Sequence, residues 1–339
     1  MSTLELENNT PAEDSRSSAN TQSAAIHQPV NQLARVRPAP CSVRYCIITP
    51  VRDEAEFIGA AIEAVAAQTI RPVEWIIVDD GSTDQTTAIV EEYSRKYPWI
   101  RLARRENRGY RSSGGGIEGF LLGVELLRTR DWDFLVNLDG DLTFSRQYFE
   151  NCFEYFGKNP RLGIGGGTIY NKVGNRLFLE KCADFHVRGA TKIYRRQCWD
   201  TLGGMHAGLG WDTVDEIKAH MRGWSTFSFP DLQLIHHRVT GAAQGGIWGN
   251  GVKNGLSDYI VGYHPLFFAV KCFRRMFKPP YALGSLGLAY GFLRGYLQRA
   301  PRVKDRNFIR YIRRQQLKRM FGLLTGPKLS APKTPGIDE

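Results

Sequence analysis

At 339 residues, with 42% hydrophobic and 12% aromatic content, the chain can bury the core of one large α/β domain plus an appendage, which excludes a wholly disordered or fibrous class. Six scattered cysteines without a C-x-x-C argue against a disulfide framework or a zinc site and fit a reducing compartment. The net charge of +11 is local: fourteen Lys/Arg lie between Lys271 and Phe321 against Asp305 alone, so the remainder is slightly acidic.

Residues 1–40 are rich in Ser, Thr, Asn, Gln, Pro and Ala without apolar periodicity, and a disordered tail is expected. Its polar, acidic start has no apolar run of the secretory kind, so no signal peptide is expected. Arg44–Val51 is a β-type run ending at Pro50, followed by Arg52, Asp53 and Glu54. Apolar residues of Phe57–Gln68 fall at helical spacing. Glu74–Val78 is a second buried strand, ending in Asp79, Asp80, Gly81, Ser82, Thr83 and Asp84. Ser82 or Thr83 is expected to cap a helix over Gln85–Tyr97. Ile100–Ala103 is a third strand, and Arg105–Gly116 a Gly-rich loop into a helix over Ile117–Arg128. The fourth strand, from Phe134 to Leu138, stops at Asp139-Gly140-Asp141.

This β-α-β-α-β-α-β order predicts a mostly parallel, Rossmann-like sheet with right-handed crossovers and flanking helices. A lone Asp-x-Asp is equally a solvated turn. Here three strands end in acidic or polar clusters, and parallel strands put such ends on one edge, where α/β sheets bind ligands. Two carboxylates around a Gly can converge on one hard cation whose remaining ligands come from phosphates.

Further on, Phe149–Phe156 reads as a helix packing its aromatics into the core. Gly163–Thr168 (GIGGGT) lacks the Lys-Ser/Thr of a phosphate loop and reads as a strand with close backbone approach. Leu202–Trp211 is a Gly-punctuated loop leading into a helix from Asp212 to Met221. Leu234–Gly241 is a strand end carrying His236 and His237.

The C-terminal runs Gly255–Cys272 and Tyr281–Leu297 are apolar and aromatic but interrupted. Glycines 284, 287, 291 and 295 recur at spacings of three and four, so one helix face is small. Neither run is a clean span of about twenty apolar residues. With the basic flanks, they are expected to lie on an anionic membrane surface. The alternative is a helical subdomain packed on the body. Long apolar runs among the cations and no recognition motif argue against nucleic acid. The expected organisation is a tail over 1–40, an α/β domain over 41–245, a basic helical extension over 246–325 and a flexible end over 326–339.

In its motifs the chain resembles the family 2 glycosyltransferases of the GT-A fold. The carriers are IITPVRDEAEFI at 47–58, VDDGSTD at 78–84, NLDGD at 137–141, GWDTVDEIKAHMRGW at 210–224 and PDLQLIHHR at 230–238. The resemblance implies inverting transfer of a sugar from a UDP- or GDP-linked donor to a glycan, lipid-linked saccharide or polyisoprenyl-phosphate acceptor, with Mn²⁺ or Mg²⁺ as cofactor. It implies that Pro50, Arg52 and Asp53 line the nucleotide pocket and that Asp79, with Asp80, meets the base, although Asp80 could instead hold the loop. Asp139 would contact ribose or the metal, Asp141 would ligate it, and His237, favoured over His236, would join them. Arg111, in a loop with Arg108, Ser112 and Ser113, would lie near the diphosphate. Members carry Glu-Asp at the helix after the Gly-rich loop; here Trp211 replaces the first acid. Asp212 is the expected general base, with Asp215 or Glu216 as fallback. The basic, apolar C-terminal segment leads to the expectation of a cytoplasmic protein, peripheral on the inner membrane face, and an envelope polysaccharide or glycolipid is the expected product.

Two other classes use a related fold. A nucleotidyltransferase would carry a Gly-rich basic loop after the first strand, where this chain has Pro50-Val51-Arg52-Asp53. A non-catalytic nucleotide-sugar-binding protein gains a foothold from the missing acid before Asp212.

Overall fold

The structure, a computed structural model, describes residues 43–107, 115–238, 246–277 and 281–325. Elements alternate through the first half: β1 (Tyr45–Val51), α1 (Ile58–Ala66), β2 (Glu74–Asp79), α2 (Thr86–Lys96), β3 (Ile100–Arg104), α3 (Gly115–Glu125) and β4 (Phe134–Leu138). There follow β5 (Leu142–Phe144), α4 (Tyr148–Lys158), β6 (Leu162–Val173), β7 (Arg176–Leu179), β8 (Thr191–Arg195), α5 (Arg196–Leu202), α6 (Trp211–Met221) and β9 (Ser225–His236). The helices α7 (Gly246–Val261), α8 (Pro265–Met276), α9 (Tyr281–Leu297) and α10 (Arg306–Thr325) complete the described chain.

One sheet runs β3-β2-β1-β4-β8-β6-β9-β5, with β7 on β6. The β3-β2-β1-β4 half is parallel, as the alternating order requires. Beyond β4 the ladder is mixed: β8 is antiparallel to β4 and β6, β9 is parallel to β6, and β5 is antiparallel to β9. The expected parallel sheet is therefore its first half; beyond it β6 and β7 form a hairpin, and β8 and β5 run antiparallel to their neighbours although α4, α5 and α6 lie between the later strands.

Both faces of the parallel half are covered, which explains its continuous apolar runs. Tyr45, Ile47 and Val51 pack with Ile58, Ile62 and Val65 of α1, Val90 of α2 and Phe149, Phe153 and Phe156 of α4. Cys46 and Ile48 face the other way, toward Ile117 and Phe120 of α3 and Trp199 of α5. GIGGGT is indeed a strand under close approach. A Cβ on Gly166 would sit 2.2 Å from the Thr191 carbonyl oxygen, and one on Gly167 2.4 Å from that of Leu232.

The extension packs on the body. Val261, Phe308 and Ile312 close over Val214 of α6, and Tyr259, Phe268, Leu288 and Phe292 form a cluster of their own. The expected run Gly255–Cys272 is divided between α7 and α8 at Gly262, whose φ of +85° ends α7. The small face of α9 meets α7: a Cβ on Gly291 would lie 2.0 Å from the Val252 carbonyl oxygen. Among the described residues no helix is long and apolar enough to cross a membrane.

Candidate active site

The ends of β1, β2 and β4 do share one rim. The Asp80 N–H donates to the Val51 carbonyl (2.9 Å), and Gly140 rests on β1, where a Cβ would fall 2.9 Å from Val51 Cγ1. A small residue is therefore needed between the two aspartates. On the β1 side, Asp53 takes a left-handed conformation (φ +53°) and is held by the β2 loop. Its N–H donates to Ser82 Oγ (3.0 Å), and the Thr83 N–H donates to Asp53 Oδ1 (2.7 Å). Ser82 and Thr83 thus hold the rim instead of capping α2; Asp84 Oδ1 accepts from the Thr86 N–H (2.9 Å) at that helix start. Arg52 donates to Asn107 Oδ1 (3.0 Å), and Pro50 faces Val78 in the β1–β2 register.

Asp79 is the residue that ties down its loop. One oxygen accepts from the Ser82 N–H and the other from the Thr87 hydroxyl. Asp80 instead faces Arg105 (3.2 Å), which also pairs with Glu118 (2.9 Å). The expectation that Asp80 holds the loop therefore falls to Asp79. Arg111, with Arg108, Ser112 and Ser113, lies outside the described residues.

Asp139, Asp141 and His236 offer ligand atoms all within 4.8 Å of one another. His236 Nε2 lies 3.1 Å from Asp141 Oδ2. His237, the expected ligand, points elsewhere. Its Nε2 is 2.8 Å from Thr143 Oγ1 and its ring stacks with Phe57. Strand parity decides this: His236 is opposite Leu142 on β5, and the next side chain must take the other face. The main chain between the aspartates is clamped, since the Asp139 N–H donates to Ala190 O (2.8 Å) and the His237 N–H to Asp141 O (3.0 Å).

The cluster is electrostatically tense. Burial, with Asp141 alongside, pushes the Asp139 carboxyl up to about 6. Burial alone would lower His236, but the hydrogen bond and charge of Asp141 and the charge of Asp139 outweigh it and hold the imidazole above its usual range. Glu54, unassigned in the sequence reading, belongs here too. Burial and then Asp141 push it up to about 8, against Arg238, whose guanidinium is 2.8 Å away. Its place directly after the β1 rim was the available signal. Asp141 Oδ1 is buried and has no hydrogen-bond partner among the described residues. Such an atom beside two more anionic or imidazole donors fits a divalent cation of the Mg²⁺ or Mn²⁺ kind.

Across the rim, α6 starts at Trp211. The Trp211 ring fills the space over Gly189, where a Cβ would come within 2.8 Å of Cζ2, and lies 5.2 Å from Lys192 Nζ. The position where the family pattern has an acid is here a packing residue that seats α6 against the segment before β8. Asp212 is 30% exposed; Asp215 and Glu216 are buried. Asp215 accepts from Tyr194 Oη (2.9 Å) and the His206 N–H (3.0 Å). Glu216 accepts from Lys192 Nζ (3.0 Å) and the Val187 N–H (2.8 Å), and His186 Nδ1 lies 2.8 Å from its other oxygen. Asp215 and Glu216 are thus consumed internally, and Asp212 alone of the three reaches solvent. Burial tends to raise Asp212, but Lys192, His186 and the Thr213 N–H together hold it below the usual carboxylate range, so it is ionised at neutral pH. Strand β8 links the two acids: Lys192, opposite Asn137 of β4, donates to the Asp212 carbonyl (2.9 Å), and Ala190 just before β8 accepts from the Asp139 N–H. His186 and Lys192 carried no sequence signal, because their partner Glu216 lies on a distant helix.

Residues 46–208 match the family described as Glycosyl transferase family 2. Glycosyltransferase GlyG of Streptococcus pneumoniae is 23% identical over 158 residues, covering 45% of this chain and 50% of its own length. Beta-monoglucosyldiacylglycerol synthase of Synechocystis is 24% identical over 243 residues, covering 63% of this chain and 49% of its own. The chain thus spans about half the length of these relatives. Among solved structures, mannosyltransferase PcManGT of Pyrobaculum calidifontis, in complex with GDP-Man and Mn²⁺, superposes with a TM-score of 0.48 at 18% identity, covering 85% of this chain and 83% of that one.

Proposed function

For a chain that carries a family 2 glycosyltransferase domain over residues 46–208, we propose inverting transfer of a sugar from a nucleoside-diphosphate donor to a hydroxyl or phosphate acceptor. The observation that carries this reading is the buried Asp141 Oδ1, without a hydrogen-bond partner among the described residues, within the Asp139–Asp141–His236 cluster, on a rim that also bears Asp53 and Asp79. Asp139, Asp141 and His236 would hold a divalent ion, Mn²⁺ or Mg²⁺, which when bound supplies charge stabilisation to a departing diphosphate. Pro50, Arg52, Asp53 and Asp79 form the wall for a UDP or GDP moiety, and Asp80 with Arg105 backs it.

Asp212 removes the acceptor proton. Its ionised carboxylate, accessible at the α6 start, is the type of group such a displacement requires on the face opposite the leaving group. A glycan, lipid-linked saccharide or polyisoprenyl phosphate fits as acceptor. The activity in the Synechocystis relative's name, making beta-monoglucosyldiacylglycerol, supports a lipid-borne one. The proposal includes work on the cytoplasmic face of a membrane in making an envelope polysaccharide or glycolipid; the basic, apolar helical extension supports it.

The test is a thermal-shift panel of nucleoside diphosphates with and without Mn²⁺, on wild type and Asp141→Asn. Metal-dependent stabilisation by UDP or GDP, lost in Asp141→Asn, is expected. No stabilisation by any of them overturns the donor assignment. Asp212→Asn should keep that stabilisation while transfer falls by roughly 10²–10⁴-fold. Unchanged turnover in this variant removes Asp212 as base, and donor binding without turnover in wild type favours a binding protein.

A further inference from the structure

We propose that the outer face of α9, with the end of α8, is a monotopic membrane-insertion surface that lies in the headgroup layer of an anionic bilayer. This rests on the surface-association part of the function proposed above and specifies which side chains enter the lipid.

Helix α9 is two-sided. Its buried side is Gly284, Gly287, Leu288, Gly291, Phe292 and Gly295, and this side is consumed by α7 and α8. Its other side exposes Leu283, Leu286, Tyr290, Leu293 and Leu297. These follow one another at steps of three and four, so they form one stripe about 21 Å long along the helix. Leu286 is 60% exposed, Leu293 59% and Leu297 85%. At the end of α8 the apolar side chains are as bare: Phe273 is 62% exposed and Phe277 69%. A stripe of bare leucines at helical spacing, with a second bare aromatic pair, Phe273 and Phe277, whose ring centroids lie 5.2 Å apart, exceeds what singly scattered surface residues explain.

Charge selects the occupant. The exposed cations Arg274 and Arg275 stand between Phe273 and Phe277, and Arg294 and Arg299 flank the α9 stripe. No acidic residue occurs from Lys271 to Lys304. A second copy docking by this face would bring these arginines against one another, whereas anionic headgroups neutralise them. Trp248 of α7 lies beside Tyr290 of the stripe, with ring centroids 5.7 Å apart, and both are partly exposed. Amphipathic aromatics of this kind suit the boundary between acyl chains and water. With no membrane-crossing helix among the described residues, the helix lies in the surface plane.

The experiment is co-sedimentation of the full chain with vesicles of phosphatidylcholine, with and without phosphatidylglycerol, at low and high salt. Wild type should partition onto the anionic vesicles. Leu286→Gln/Leu293→Gln should lower the partition coefficient at least about tenfold at both salt concentrations, because it removes buried apolar area. Arg274→Gln/Arg275→Gln should lower it chiefly at low salt. Lipids brominated on the acyl chain should quench part of the tryptophan emission, and that part should vanish in Trp248→Phe. If the leucine variant partitions like wild type, surface association stands but this face is not its site. If wild type binds no vesicle, the face and the association reading both fall. A concentration-dependent dimer that the leucine variant dissolves assigns the face to a second copy and overturns the inference. Metal-dependent donor stabilisation reads the catalytic assignment independently of all these outcomes.

Discussion

His236 turns its Nε2 to within 3.1 Å of Asp141 Oδ2, while His237, one residue on, bonds Thr143 and stacks on Phe57. The two neighbours therefore separate cleanly in an experiment. His236→Ala should abolish most of the Mn²⁺-dependent thermal stabilisation of the nucleotide complex, a loss on the order of 10–100-fold in metal affinity. His237→Ala should retain it. Calorimetric titration of Mn²⁺ into each variant checks this, and equal affinity in both would remove His236 from the cluster. Because the folded protein holds His236 protonated above its usual range, metal uptake should also release protons, more so at lower pH.

Glu216 and Lys192 form a buried ion pair at 3.0 Å, with the lysine side chain fully enclosed. Removing one partner leaves an uncompensated charge. Glu216→Gln should destabilise the protein by about 3–5 kcal/mol in urea titration, and adding Lys192→Met should return part of that loss. If Glu216→Gln is neutral, the Lys192 charge is relieved in some other way. The same variant also loses the carboxylate on His186 Nδ1, whose Nε2 stands 3.9 Å from Asp212.

This pair also explains which parts of the fold were legible locally. The strands β1, β2 and β4 announce themselves because every residue in them but Pro50 is buried, with helices covering both faces. Strand β8 (TKIYR) does not, since Lys192, its second residue, reads as surface; only Glu216, from α6, makes it a core residue. The shared rim was readable because three parallel strands stop at acids. The choice between His236 and His237 was not, because a one-residue shift in where β9 aligns with β5 exchanges the faces. The glycine spacing of α9 was visible, but which helix fills the small face depends on α7, itself poor in helical periodicity.

Burial raises the Asp215 carboxyl from its ordinary value near 3.8 up to about 6. In the unfolded chain it ionises near 3.8, so between those values the folded state holds a proton that the unfolded state lacks. Stability is then greatest below 3.8 with respect to this group, falls as pH rises through 6, and stays reduced above it by about 3 kcal/mol. Asp215→Asn removes that ionisation while keeping polar atoms for Tyr194 and the His206 N–H. The stability of Asp215→Asn relative to wild type should therefore rise between pH 4 and pH 6 and level off above. Paired urea titrations across that range check it; a pH-independent difference would mean that Asp215 ionises normally.

Glycine-to-alanine changes should have opposite signs at two kinds of helical site. Gly157 in α4 and Gly322 in α10 have nothing within 4 Å of an added Cβ. At these positions alanine removes backbone entropy from the unfolded chain, and each change should stabilise by about 0.5–1 kcal/mol. Gly255 in α7 meets the opposite condition, since its Cβ would stand 1.9 Å from the Leu288 carbonyl oxygen, a backbone atom that cannot rotate away. Alanine there must push α7 from α9, at a cost of about 1–3 kcal/mol or more. The strain should reach the site, because α7 abuts α6: a Cβ on Gly210, just before Trp211, would lie 2.5 Å from Val261. Gly255→Ala should therefore lower both the melting temperature and transfer activity, whereas Gly157→Ala should raise the first and leave the second unchanged. If Gly255→Ala melts like wild type, the contact between α7 and α9 is looser than these distances require.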